Sequence, residues 1–483
     1  MRKIFLLYIV IVFSNSLLGQ SLVEVSEFGS NPGNLKMYVY EPDNLAPGCP
    51  VVFALHGCSQ TAQSFSDESG WNKLADRYGF VVVYPEQQYL NNYSYCFNWF
   101  LPADYSRTGG EVESIATMAG YAISLYSADE NRVFVTGLSA GASMSAAMLA
   151  AYPDIFAAGA IMAGVPYGAA SNLTEASSAM YGYVDKTPAE WKDLVLAAYP
   201  SFTGSYPSVA IFHGSLDMVV SPVNQDELIE QWTAVHNLTT TANEVQSSYF
   251  YNPNITRSVY FSNYNDWKVL NFDISGMGHA ISIDEGTCAF QGGSSASYAV
   301  DMGFHSTFFA AMFFGLVDDL EILGPLSVST MQSGLQYSVE DESGADFQWA
   351  VTGDAEIASG NGSHSISVNW GSDLEGKVSV VKTDINACDY PEISVLVSAT
   401  TSVKNYNSDE SVVFYPSVVK AGQAISFSGS VNSCLLYNSL GVFIENLEIH
   451  SGKCIIPLGV PEGIYLIKYN AGKPGSIKIV IID

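Results

Sequence analysis

From residue 21 to about residue 320 the chain alternates short apolar runs with longer segments whose apolar residues recur every three or four positions. The runs "VVFAL", "FVVVYP", "RVFVTG", "AAGAIMAG", "PSVAIFHG" and "VLNFDIS" are bounded by Gly, Pro or Ser. Apolar on both faces, they predict buried strands. Segments such as "ESIATMAGYAISLYS" and "VNQDELIEQWTAVHNL" predict the helices between them, and "SYAVDMGFHSTFFAAMFFGLVDD" a closing helix. Strand and helix in alternation imply an α/β fold with a doubly wound, predominantly parallel sheet.

The pattern changes at Gly324-Pro325. From there to about Ala399 only short alternating strands remain, among them "DFQWAVTG", "HSISVNWG" and "KVSVVKTD", divided by turn residues at sandwich-like intervals. A polar linker follows, then a second β-module through "CLLYNSLGVFIENL", "GIYLIKYN" and "SIKIVIID". The expected division is an α/β domain over 21–320, small all-β sandwich modules over 325–400 and 411–483, and a linker over 401–410.

Within the α/β region, "RVFVTG" is a strand and "ASMSAAMLAAYP" opens a helix, so Ser139 stands at the bend of Gly137-Leu138-Ser139-Ala140-Gly141. Glycine at both flanks allows a turn too tight for side chains there. The hydroxyl is then held clear of the backbone at a helix N-terminus, where a developing anion is favoured. A serine nucleophile needs a base and a group to orient it, following in the chain as Asp or Glu and then His. Asp217 lies in the loop after "SVAIFHG", where ligand-facing groups collect on open α/β sheets, and Asp226 and Glu227 fit the solvated first turn of the next helix. Of the later histidines, His236 closes a helix and His305 falls in the last helical pattern. His279 stands in the glycine-flanked loop "SGMGHAIS" and is the expected base.

An oxyanion hole needs two backbone N–H donors. Ala140 supplies one, and Cys58 or Ser59, in "HGCSQ" after the first buried strand, supplies the other. A disulfide from Cys58 to Cys96 would hold that loop against the aromatic segment "CFNWF", making Asn98, Trp99 and Phe100 candidate substrate contacts.

Composition narrows the partners. "MRKIFLLYIVIVFSNSLLGQ" has the cationic start and short apolar run of a secretory signal peptide, expected over 1–20. No later segment has the uncharged apolar length of a membrane span. Without Arg2 and Lys3 the chain carries 17 basic against 48 acidic residues, or −31, which disfavours nucleic acid and anionic surfaces. There is no CxxC, HExxH or Walker A pattern, so no metal or cofactor is expected. Two functional classes compete: a serine ester hydrolase, and an adhesion or binding protein on a silent hydrolase scaffold. The complete set of triad positions favours the first.

Together these motifs resemble the poly(3-hydroxybutyrate) depolymerase-like esterases, relatives of secreted feruloyl and acetylxylan esterases. "LHGCSQTAQSF", "GFVVVYPEQ", "CFNWF", "GEVESIATM", "GLSAGASMSAAMLAAYPDIFAAGAIMAGVPYGAA", "HGSLDMVV" and "GMGHAI" stand in family order across roughly residues 30–317. The resemblance implies an α/β-hydrolase fold, with Ser139 as nucleophile, Asp217 as orienter and His279 as base. Its implied substrate is a polyester of the polyhydroxybutyrate type, with feruloylated or acetylated xylan and aromatic polyesters as alternatives. Ala169 and His305 stand where many members have cysteine, which leaves Cys49 and Cys288 unassigned, with a bond to each other as the open pairing. The middle module resembles a PKD-like, immunoglobulin-type domain with Trp349 and Trp370 in its core. The terminal module is similar to the C-terminal sorting domain of bacterial type IX secretion. That likeness implies export by the signal peptide and then by the type IX machinery to the outside or the cell surface.

Overall fold

The computed structural model describes residues 21–383 except 44, 263–265 and 318–321, then 388, 390 and 393–400, and from 414 onward the strands of the terminal module with short connections. The expected signal peptide and the linker 401–410 lie outside the described residues.

Ten strands form the main sheet: β1 (Val23–Val25), β2 (Lys36–Tyr40), β3 (Val51–Leu55), β4 (Val81–Glu86), β5 (Val133–Leu138), β6 (Ala158–Met162), β7 (Ser208–Gly214), β8 (Glu244–Ser247), β9 (Ile255–Phe261) and β10 (Trp267–Ile274). Their order is β1-β2-β4-β3-β5-β6-β7-β10-β9-β8. The centre, β4 through β10, is parallel, and the outer pairs β1–β2, β2–β4, β10–β9 and β8–β9 are antiparallel. Every residue of β3, β5 and β6 is buried, because helices cover both faces of a parallel sheet. Val51, Phe53 and Leu55 join the core on one face, Val52 and Ala54 the core on the other. The helix Ala140–Ala151 is buried on every side, and its alanines, serines and single glycine let it lie close against the sheet.

This topology sets the carboxyl ends of β3, β5, β7 and β10 along one edge. The chain leaves β3 into His56-Gly57-Cys58, β5 into Ser139, β7 into Asp217 and β10 into His279. The other two histidines considered as base, His236 and His305, take packing positions. His236 caps the helix Val223–Val235. His305 precedes the helix Ser306–Phe313, fully buried, with Nε2 at 2.9 Å from the Ser69 carbonyl. One expectation is corrected: Glu227 is buried and accepts the Trp191 indole N–H at 2.6 Å, so it does not belong to a solvated turn.

Residues up to 326 together with 332–398 make one compact unit, and 327–331 with 399–483 a second. In the first, Asp346–Val351, Glu375–Thr383 and residues 393–398 run antiparallel in one sheet, and Leu335–Ser338, Ser365–Asn369 and Glu356–Ser359 in another. Trp349 and Trp370 are buried as expected. In the second, Ile425, Leu436, Ile456, Ile467, Ile479 and Ile481 form a core that also contains the free thiols of Cys434 and Cys454.

The open pairing of Cys49 with Cys288 does not occur. Cys288 is bonded to Cys388, 100 residues away in the β region, and Cys49 is a free buried thiol. Beside that bond Tyr390 is fully buried, edge-on to Phe290 at 5.5 Å, and accepts from the Arg77 guanidinium at 3.3 Å. Within this first unit, the α/β layer and the β region carrying Cys388 and Tyr390 are therefore joined covalently and through a shared core. Closing a loop of that length is worth roughly 4–5 kcal/mol on a chain-entropy estimate. Cys388→Ser should lower the calorimetric unfolding midpoint of this unit by several degrees; an unchanged midpoint would mean that the bond adds no stability.

Candidate active site

Ser139 follows the last residue of β5 with φ 56° and ψ −118°, a conformation that costs a non-glycine residue about 1–3 kcal/mol. The surroundings enforce it. The Ser139 N–H donates to the Met162 carbonyl, and the Ser139 carbonyl accepts from Ser143 N, each at 2.9 Å. The flanking glycines are obligatory for space: a Cβ on Gly137 would come within 2.7 Å of the Leu55 carbonyl oxygen, and one on Gly141 would collide with the carbonyls of Leu55 and His56. The result is a serine hydroxyl presented at the start of a buried helix.

Asp217 and His279 converge on it. His279 Nδ1 lies 2.7 Å from Asp217 Oδ2, and Nε2 lies 2.8 Å from Ser139 Oγ. A carboxylate only accepts, so Nδ1 carries the proton and Nε2 is free to accept from the hydroxyl. Asp217 has more partners than the sequence suggested. Its Oδ1 accepts the N–H groups of Val219 and Val220 at 2.9 Å each, and buried His213 places Nε2 3.4 Å from Oδ2. Burial alone would raise this carboxyl, but the hydrogen bonds of His213, His279 and Val220 and the attraction of His279 outweigh it. They hold the group well below the usual carboxylate range. Asp217 thus stays ionised wherever His279 can act as a base. His213 was not singled out from sequence; its position four residues before Asp217 was the available signal.

Opposite Ser139 lies the loop after β3. The disulfide Cys58–Cys96 is formed as expected. Of the two candidate donors, Ser59 is already committed, since its N–H donates to the Ser94 carbonyl at 2.8 Å from a residue with φ 63°. The Cys58 N–H remains for a ligand, alongside that of Ala140, which as the first residue of its helix has no intrahelical acceptor. A cleft of about 550 Å³ opens beside Cys58, walled by Cys96, Trp99, Phe100, Leu173 and Met180. Trp99 and Phe100 line this cleft. Asn98 does not: its side chain turns inward, donating to Glu111 at 2.8 Å and accepting from Asn92 at 3.0 Å. It holds the wall instead of facing the cleft. Leu173 and Met180 were missed, because they come from a helix more than seventy residues after Trp99. Among the described residues no group of His, Cys, Asp and Glu could hold a metal ion, and no helix is long and apolar enough to cross a membrane.

The chain shares this architecture with known proteins. Residues 35–246 match the Esterase PHB depolymerase family, and residues 317–397 a PKD-like domain. The chain is 42% identical over 297 residues to poly(3-hydroxyalkanoate) depolymerase C of Paucimonas lemoignei, covering 62% of this chain and 70% of that protein. It is 36% identical over 271 residues to feruloyl esterase B of Talaromyces stipitatus, covering 55% and 73% respectively. Among solved structures, an acetyl xylan esterase from Aspergillus awamori superposes with a TM-score of 0.50 at 33% identity, over 54% of this chain and 94% of that one. With an α/β-hydrolase sheet, a serine, a histidine and an aspartate in hydrogen-bond contact, and this degree of likeness, the chain belongs to the PHB depolymerase esterase family and is a carboxylic ester hydrolase.

Proposed function

We propose that Ser139, His279 and Asp217 hydrolyse esters through an acyl-enzyme. The observation that carries this reading is the unbroken hydrogen-bond chain from Ser139 Oγ through His279 to Asp217. Ser139 Oγ attacks the ester carbonyl carbon while its proton passes to His279 Nε2. The N–H groups of Cys58 and Ala140 stabilise the resulting oxyanion. Collapse expels the alcohol, which takes the proton from His279, and leaves the acyl group on Ser139. Water then attacks, giving its proton to His279, and the second collapse frees the acid and returns that proton to Ser139. Ser139→Ala should lose on the order of a million-fold in kcat and escape labelling by a fluorophosphonate, while keeping its unfolding midpoint. Undiminished hydrolysis of a p-nitrophenyl ester by that variant would defeat the proposal.

For substrate we favour an extended neutral polyester of the polyhydroxybutyrate type. Leu90 and Tyr93 at the cleft are 84% and 76% exposed, as is Leu173 at 67%, and Leu216 and Met218 on either side of Asp217 are 64% and 90% exposed. Exposed apolar side chains grouped at a site mark a binding surface. With Trp99 and Phe100 in the same wall, these side chains offer an apolar face to an extended neutral chain, and the higher identity to a poly(3-hydroxyalkanoate) depolymerase, 42% against 36% for a feruloyl esterase, favours the polyester. Their introduction of charge is the test. Met218→Lys and Leu90→Lys should slow the clearing of a polyhydroxybutyrate suspension while leaving a soluble short-chain ester unaffected. If release from methyl ferulate or acetylated xylan is fast and the suspension stays cloudy, the cell-wall esterase reading replaces this one.

The supporting modules fit an exported enzyme. We propose that residues 1–20 are a signal peptide, that 21–320 and 325–400 are the esterase and PKD-like domains, and that 411–483 after the linker address the protein to type IX secretion. The N-terminal run, the disulfides Cys58–Cys96 and Cys288–Cys388 and the β-rich terminal module support this arrangement.

A further inference from the structure

The sequence "GEVESIATM" puts a carboxylate, Glu111, at the first turn of the helix Gly110–Tyr126, and nothing in the chemistry above uses it. Glu111 is completely buried, yet the hydrogen bonds accepted by its carboxylate lead towards the active site. Oε1 accepts from the side-chain amides of Gln87 and Asn98, and Oε2 accepts the Asn98 backbone N–H at 2.8 Å. Asn98 is the residue before Trp99 and Phe100 in the cleft wall. Gln87, also buried, extends the network the other way. Its amide donates to the Cys96 carbonyl at 3.0 Å, and its backbone N–H donates to His56 Nε2 at 3.1 Å. That bond fixes the His56 tautomer, so Nδ1 carries the proton and donates to the Gly57 carbonyl at 2.7 Å. The Gly57 carbonyl and the Cys58 N–H belong to one planar peptide and point in opposite directions. Pinning the carbonyl therefore aims the N–H.

We propose that Glu111 is a positioning residue for ester hydrolysis, orienting the Cys58 oxyanion donor through Gln87 and His56 and the Trp99–Phe100 wall through Asn98. Burying a carboxylate is costly unless it is well hydrogen-bonded. Here burial, with Asp104 adding to it, raises the Glu111 carboxyl to about 8 despite its three donors, so the carboxylate that accepts all three is the form present above that pH, and the kinetics that test it are read at pH 9. Its retention at this point is explained if the three donors must be held in one arrangement. The same burial keeps His56 neutral, with its pKa lowered to about 4, so the relay does not break when the surrounding solution passes through the usual histidine range.

The inference rests on the Ser139 reading and is tested beside it. Glu111→Gln keeps the shape but turns an N–H₂ toward one of the three donors. It should lower kcat on p-nitrophenyl butyrate by at least about tenfold, the size of a partial loss of one oxyanion donor, with KM little changed. The rate at which a p-nitrophenyl phosphonate modifies Ser139 should fall by a similar factor, because that adduct also needs the oxyanion donors. Gln87→Met, which keeps the Glu111 side chain but removes the amide that links it to the Gln87 segment, should reproduce the kcat loss, and the double variant should be no worse than the poorer single one. If Glu111→Gln does not fold, Gln87→Met decides alone. A lowered unfolding midpoint with unchanged kcat and unchanged phosphonate reactivity would overturn the proposal and leave Glu111 a structural group. An active Ser139→Ala would instead overturn the reading beneath it.

Discussion

The backbone at Ser139 is the constraint on which the site depends. A serine at φ 56° and ψ −118° would relax if it could, and it is prevented by the fully buried β5 before it and the fully buried helix after it. The Met162 carbonyl on the neighbouring strand holds its N–H. The strain is offset by core burial on both sides of the sheet and yields two consequences at once. The hydroxyl projects to where His279 can reach it, and the Ala140 N–H is left without an internal partner.

The rest of the site is assembled from loops that the same sheet edge brings together, and each loop is fixed by contacts of its own. Asp217 is held by two backbone N–H groups of its turn and by two histidines. The loop after β3 is fixed by the Cys58–Cys96 disulfide, by Ser59 bonding to Ser94, and by the buried polar network ending at Glu111. Such a network is worth keeping only if its members are satisfied, since a half-paired buried carboxylate would cost more than an apolar replacement. Preorganisation of this kind is what catalysis by aimed dipoles requires.

Much of this was legible in the sequence because it is local. Buried strands announced themselves as unbroken apolar runs, Ser139 by its flanking glycines, and Asp217 and His279 by standing just beyond strand ends. What stayed hidden depends on contacts between distant segments. Whether Cys58 or Ser59 offers its N–H is decided by the Ser94 carbonyl, and whether Asn98 faces in or out is decided by Glu111. Glu227 looked solvated because nothing nearby in the chain indicates that Trp191 will reach it. The partner of Cys288 lies 100 residues away beyond a change of fold class, where no pattern in either segment points to the other.

The central claim is that Ser139 is the nucleophile and that Cys58 and Ala140 bind the oxyanion. A crystal structure of the enzyme after reaction with an alkyl phosphonate tests both parts together. Phosphorus should be bonded to Ser139 Oγ, with its anionic oxygen about 2.7–3.1 Å from the N–H groups of both Cys58 and Ala140. Phosphorus on any other residue, or an oxygen turned away from Cys58, would contradict it.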